Sequence, residues 1–170
     1  DGFKEMDLSH VTVAVLDGGL DADHPAFKNS KILPGYDAKR KDSFTPDKVG
    51  HGTHVAGIIA GALEEKGVAG VAQGATLMPV KMSVTAINPA LMQRLADSIR
   101  YAVDNGAHVI NLSSGIDLKA PINAVLHAGK KHLVDEALDY AEQKGVVVVV
   151  AAGNEGNKES TKDSLTYPAS

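Results

Sequence analysis

The chain has 170 residues, no cysteine and a formal net charge of −4, with 44% hydrophobic and 22% charged residues. That composition suits one globular domain with one core. It excludes disulfides and thiolate metal sites, and the acidic balance gives no basis for a nucleic-acid partner. The longest apolar run, Val146 to Ala152, is far too short to cross a bilayer, so no membrane span is expected. The chain opens on Asp1-Gly2 without Met or a signal-like segment, which reads as a processed, truncated or engineered start.

Val11 to Leu16 is a short β-branched run ending at Asp17-Gly18-Gly19, a buried strand followed by a tight turn. Ile32 to Asp37 is a weaker strand, and the polar stretch Ala38 to Gly50 is a loop. From His51 onward Val55, Ile58, Ile59 and Ala62 have helical spacing, ending in Glu64-Glu65-Lys66-Gly67. Ala75 to Met82 reads as a strand. Asn88-Pro89 opens a second helix whose apolar face is Met92, Leu95, Ala96, Ile99, Ala102 and Val103, stopped at Gly106.

Ala107 to Leu112 is the next strand and ends in Ser113-Ser114-Gly115. The segment Ile116 to Lys131 is irregular and reads as a surface excursion. Val134, Ala137, Leu138 and Ala141 mark a third helix, stopped at Gly145, and Val146 to Ala152 is a strand ending in Gly153-Asn154. Strands alternating with helices predict an α/β fold, a mostly parallel sheet with helices on both faces.

Three strands thus end in small-residue turns bearing a polar group, at Asp17, Ser113 and Asn154. Open parallel sheets bind ligands outside the carboxyl ends of their strands. Gly, Ser and Asn are also ordinary turn formers, and any one of these turns alone favours that plainer reading.

Four blocks carry more. They are Val-Ala-Val-Leu-Asp-Gly-Gly-Leu-Asp at 13–21, His-Gly-Thr-His-Val-Ala-Gly at 51–57, Val-Ile-Asn-Leu-Ser-Ser-Gly at 109–115 and Val-Val-Val-Ala-Ala-Gly-Asn-Glu-Gly at 148–156. The series resembles the subtilisin-like serine proteases (subtilases), in the family's order and over nearly the whole chain. Asp47 and the stretch Gly67 to Ala72 also fit, and the His51 block is the most specific.

The resemblance implies a subtilisin-like fold and a serine endopeptidase acting through an acyl-enzyme. A serine hydroxyl is a poor nucleophile and needs a base within hydrogen-bond reach. His51 resembles that base, and Asp17 resembles the carboxylate that orients it and stabilises its cation. Asn154 resembles the side-chain donor to the oxyanion. Ser113, Ser114 and Gly115 resemble one wall of the substrate pocket, and Ala151, Ala152 and Gly153 the other; extended substrate would pair with the Ser113 to Gly115 backbone. These small residues imply an open pocket and a broad or apolar preference. The Glu64-Glu65 pair lies where some members carry a calcium loop, so structural calcium is one expectation and a solvated acidic face the other. His51 and His54 are spaced as metal ligands, but no third ligand stands nearby and no metal site is assigned. His10, His24, His108, His127 and His132 belong to no motif. Export is the family's usual route, and intracellular members are known.

The sequence departs from the family in several places. The Gly-Thr-Ser block that carries the nucleophile is missing. Residues 1–170 therefore read as the N-terminal portion of one peptidase domain, incomplete at its C-terminus. The expected partners are a peptide or protein substrate and the remainder of the protease, as a second polypeptide, a cleaved segment or a continuation. Gly18 stands where the family usually has Ser or Thr, and Ser114 where Leu is common. The alternative function is a non-catalytic scaffold that binds peptides or a protein partner.

Overall fold

The computed structural model describes residues 6–43, 45–63, 68–82, 89–113 and 131–154. The Glu64-Glu65 pair, Asn88, Ser114, Gly115 and most of the 116–131 excursion lie outside the described residues.

Among the described residues five parallel strands form the main sheet: β1 Thr12–Asp17, β2 Tyr36–Asp37, β5 Thr76–Lys81, β6 Val109–Leu112 and β7 Val147–Val150. Their order is β2-β5-β1-β6-β7, so the first strand of the chain is the central one. Among the described residues, helices α1 His51–Ala60, α2 Pro89–Asp104 and α3 Lys131–Gln143 connect them. A two-stranded antiparallel hairpin, β3 Ala62–Leu63 with β4 Val68–Ala69, follows α1. The sequence pattern does not announce it, because two-residue strands are too short to show alternation.

Side-chain alternation along the strands divides the core in two. The row Met78, Ala14, Ile110 and Val148 is in register across four strands. It packs with Leu16, Val80 and Leu112 against Met92, Leu95, Ile99, Val134 and Ala137 of α2 and α3. The opposite face presents Leu77 and Val15 to Ala56 and Ala60 of α1, with Leu20 and Phe27. Helices therefore cover both faces, as expected for a parallel sheet. Tyr140 Oη donates to Asp104 Oδ1 at 2.7 Å and ties α3 to α2.

The helix faces differ from expectation in one respect. Ile58 is 55% exposed, and the residues of α1 fully buried against the sheet are Gly52, Ala56 and Ala60. The helix sits so close to the strands that small side chains fill the interface, which turns Ile58 outward.

On the α1 side, cover by the described residues stops at the middle of the sheet. The rows continue through Val109 and Asn111 to Val147 and Val149, which are 58% and 50% exposed. Two valines half open on one sheet face are unusual in a parallel sheet, whose faces are normally both covered.

Candidate active site

Asp17 is the last residue of β1 and is 6% exposed. Its carbonyl accepts from the Met82 N–H at 2.6 Å, continuing the pairing with β5. Its Oδ1 accepts from the Gly18 N–H at 2.7 Å. His51 is the first residue of α1, and its Nδ1 lies 2.9 Å from both Asp17 oxygens. The Asp17 side chain is 5% exposed and the His51 side chain 54%. A carboxylate accepts only, so it assigns the ring proton to Nδ1. The Nε2 lone pair is then left for the open side of the ring. A positioned base, open to solvent and backed by a buried carboxylate, can take a proton and have its cation stabilised.

Four interactions fix the N-terminus of α1, and with it His51. Gly50 takes the left-handed conformation at the helix cap, with φ of 90° and no side-chain cap bond of its own. Asp47 supplies the missing acceptor. Its Oδ1 accepts from Val49 N–H at 3.0 Å and Gly50 N–H at 2.8 Å, and its Oδ2 accepts from Thr53 N–H at 2.9 Å and Thr53 Oγ1 at 2.6 Å. The loop before it is pinned by Leu20 N–H to Thr45 O at 2.9 Å and by Lys81 Nζ, which donates to Pro46 O. Lys81 pairs with Asp17 in the sheet, so the loop that holds the histidine is tied to the strand that holds the carboxylate.

Partial burial pushes the Asp47 carboxyl upward, but bonds from the Thr53 hydroxyl and the Gly50, Thr53 and Val49 N–H groups outweigh it and hold the value at about 2. A carboxyl lowered on folding stabilises the fold above its ordinary range and loses that contribution as pH falls through the folded value. Asp47→Asn is therefore expected to cost about 1–2 kcal/mol near neutral pH. The gap between variant and parent in urea unfolding should narrow as pH drops from about 4 toward 2. A gap independent of pH would assign the loss to shape alone.

Gly52 is needed where α1 meets β1. A Cβ there would overlap the Gly19 carbonyl oxygen and lie 3.1 Å from Asp17 Cβ. The expected room for close backbone approach is present, and it is the turn after Asp17 that fills it.

The other expected residues lie along the same edge. All five strands are parallel, so Asp17, Ser113 and Ala151 to Asn154 follow carboxyl ends on one side of the sheet. Asn111 Nδ2 donates to Ser113 Oγ at 2.8 Å. Ala151, Ala152, Gly153 and Asn154 are exposed, and β7 is two strands from β1, about 10 Å. Ser114 and Gly115 lie outside the described residues. Among the described residues no three His, Asp or Glu side chains gather together. Neither the capping role of Asp47 nor the reach of Lys81 was visible in the sequence, where spacing alone says nothing of a loop's path.

The sequence profile of the Subtilase family matches residues 9–170. The major intracellular serine protease of Bacillus subtilis is 36% identical over 170 residues, covering 98% of this chain and 50% of that protein. A calcium-dependent protease of Nostoc sp. is 39% identical over 178 residues, covering 95% of this chain and 25% of that protein. Among solved structures, the nisin leader peptidase of Lactococcus lactis aligns with a TM-score of 0.66 at 26% identity, covering 86% of this chain and 44% of that one. The chain thus spans half or less of the length of these relatives.

Proposed function

This chain belongs to the subtilase family, and from that premise we propose that it is the Asp- and His-bearing front portion of a single serine endopeptidase domain. The observation that carries the reading is the His51 Nδ1 bond to Asp17 at 2.9 Å, with the rest of the imidazole half exposed. His51 takes the proton of a serine hydroxyl that residues outside this chain supply, and returns it to the leaving amine. Asp17 orients the ring and stabilises its cation. Asn154 donates to the oxyanion, and Ser113 to Gly115 with Ala151 to Gly153 hold extended peptide. The half-open face at Val147 and Val149 supports the view that the remainder of the domain packs there. The name of the Nostoc relative and the place of the Glu64-Glu65 pair both suit a structural calcium, and no step depends on it. Export and retention both suit the reading, since one relative is intracellular by name.

Peptide hydrolysis by the chain together with its remainder, compared with the same preparation carrying His51→Ala, tests the proposal. Equal hydrolysis by both would contradict it.

One observation favours the rival reading of a non-catalytic peptide-binding scaffold: Gly18 gives Asp17 a backbone bond and no hydroxyl. Nothing lies within 4 Å of a Cβ placed at Gly18. Gly18→Ser therefore adds a donor beside the carboxylate without a clash, and a rise of a few-fold in kcat/KM is expected. A kcat/KM that stays level or falls would mean that the backbone bond alone holds Asp17.

A further inference from the structure

The hydroxyl of Thr53 joins two segments that each carry one half of the Asp17–His51 pair. Thr53 Oγ1 donates to Asp47 Oδ2 at 2.6 Å and accepts from the Asp21 N–H at 3.0 Å. We infer that Thr53 is a positioning residue, whose hydroxyl holds the turn that follows Asp17 against the helix that begins with His51. The inference rests on the reading of His51 as a base and deepens it.

The direction of these bonds follows from the groups themselves. A hydroxyl has one proton, and an ionised carboxylate only accepts. The Thr53 proton therefore points to Asp47, at a length usual for a hydroxyl bonded to a carboxylate. The oxygen lone pairs are left for the Asp21 N–H. Valine has nearly the shape of threonine and can make neither bond.

Thr53 closes a ring. Residues 17–21 form one side of it and residues 51–53 the other. At one end His51 Nδ1 lies 2.9 Å from the Asp17 carboxylate, and at the other the Asp21 N–H meets Thr53 Oγ1. Between the ends, α1 and the turn approach so closely that a Cβ at Gly52 would overlap the Gly19 carbonyl oxygen. The two successive amides of the turn divide their work: Leu20 N–H goes to the loop at Thr45 O, and Asp21 N–H goes to the helix.

His51 has few contacts of its own to rely on. Its side chain is 54% exposed, while that of Asp17 is 5% exposed. The start of the helix therefore decides where Nε2 lies. Without the Thr53 hydroxyl, Asp47 still accepts from the Thr53 N–H, so the helix keeps its cap. The link across to the Asp17 turn is the part that goes, and the penalty falls on the geometry of the pair more than on folding.

The test compares Thr53→Val, Thr53→Ser and Tyr140→Phe in the complete protease labelled with ¹⁵N-histidine. Tyr140→Phe is the control, because it removes one hydroxyl bond between α2 and α3, away from the ring. Thr53→Val is expected to lower kcat about 10–50-fold with KM within about twofold of the parent. The low-field Nδ1–H resonance of His51, assigned by its absence in His51→Ala, should broaden or move upfield in the same variant. Thr53→Ser restores the hydroxyl and should return the resonance, with kcat within about threefold of the parent. Tyr140→Phe should lower the Tm by a few degrees, as Thr53→Val does, and leave kcat and the resonance unchanged. Should Thr53→Val not fold, Thr53→Ala takes its place, since it removes the same hydroxyl and sets no methyl against Asp47. Parent kcat and an unmoved resonance in the Val or Ala variant, an equal loss in Thr53→Ser, or the same loss in Tyr140→Phe would overturn the inference. A protease that hydrolyses nothing would contradict the proposed function, and the resonance would still decide the role of Thr53.

Discussion

His51→Ala in the complete protease is expected to lower kcat/KM about 10,000-fold while leaving KM and thermal stability nearly unchanged. The side chain is half exposed and packs little, so its removal leaves no cavity in the core. In the proposed mechanism, what is lost is the base. Without it the serine proton has no acceptor in reach and the leaving amine has no donor. Asp17→Asn is expected to be of similar size for another reason. An amide in place of the carboxylate can donate to Nδ1 and so favour the wrong tautomer. The Asn variant should also unfold somewhat more easily, because the buried Asp17 accepts from both Gly18 and His51. Steady-state hydrolysis of a peptide substrate, with melting curves on the same samples, separates the two effects. A His51→Ala variant that keeps a tenth of the parent activity would contradict the assignment.

Gly52→Ala is the second large effect, and it acts through shape. The new methyl would meet the Gly19 carbonyl oxygen and the Asp17 side chain together. Neither can retreat easily. Gly19 lies in a turn whose following residue, Leu20, donates to Thr45 O, and Asp17 is held by the sheet and by Gly18. The helix must therefore shift away from β1. Overpacking of this kind costs about 3 kcal/mol, which corresponds to a fall in Tm of about 6–12 °C for a domain of this size. A shift of about 1 Å in the imidazole would add a loss in kcat near 100-fold. Gly57→Ala is the control, since nothing lies within 4 Å of a Cβ there. It should leave both quantities near the parent. Equal loss in the two variants would mean that helix backbone effects, and not the contact with Gly19, set the outcome.

Much of this architecture was legible in the sequence because its signals are strong and local. The β-branched runs at Val11 to Leu16 and Val146 to Ala152 read as strands, and the strands found there are Thr12–Asp17 and Val147–Val150; Gly106 and Gly145 stop the helices with φ of 84° and 72°. The pairing of Asp17 with His51 followed from motif resemblance, and the geometry brings the two together at 2.9 Å.

What was not legible depends on how elements approach each other. Period alone gave α1 an apolar face through Ile58, but the close contact at Gly52, Ala56 and Ala60 rotated that residue outward. Asp47 sits four residues before His51, and nothing in that spacing says that its carboxylate caps the helix in place of a side chain at Gly50. Lys81 reads as the end of a strand, and only the fold brings its ammonium to Pro46.

In the proposed mechanism Asp17 and His51 activate a serine that residues outside this chain supply. A fluorophosphonate probe, read by intact mass on every polypeptide in the purified preparation, tests it most directly. One covalent label is expected, on a serine outside residues 1–170, and it should be lost in the His51→Ala variant. A label on one of the ten serines of this chain, or labelling that persists without His51, would contradict it.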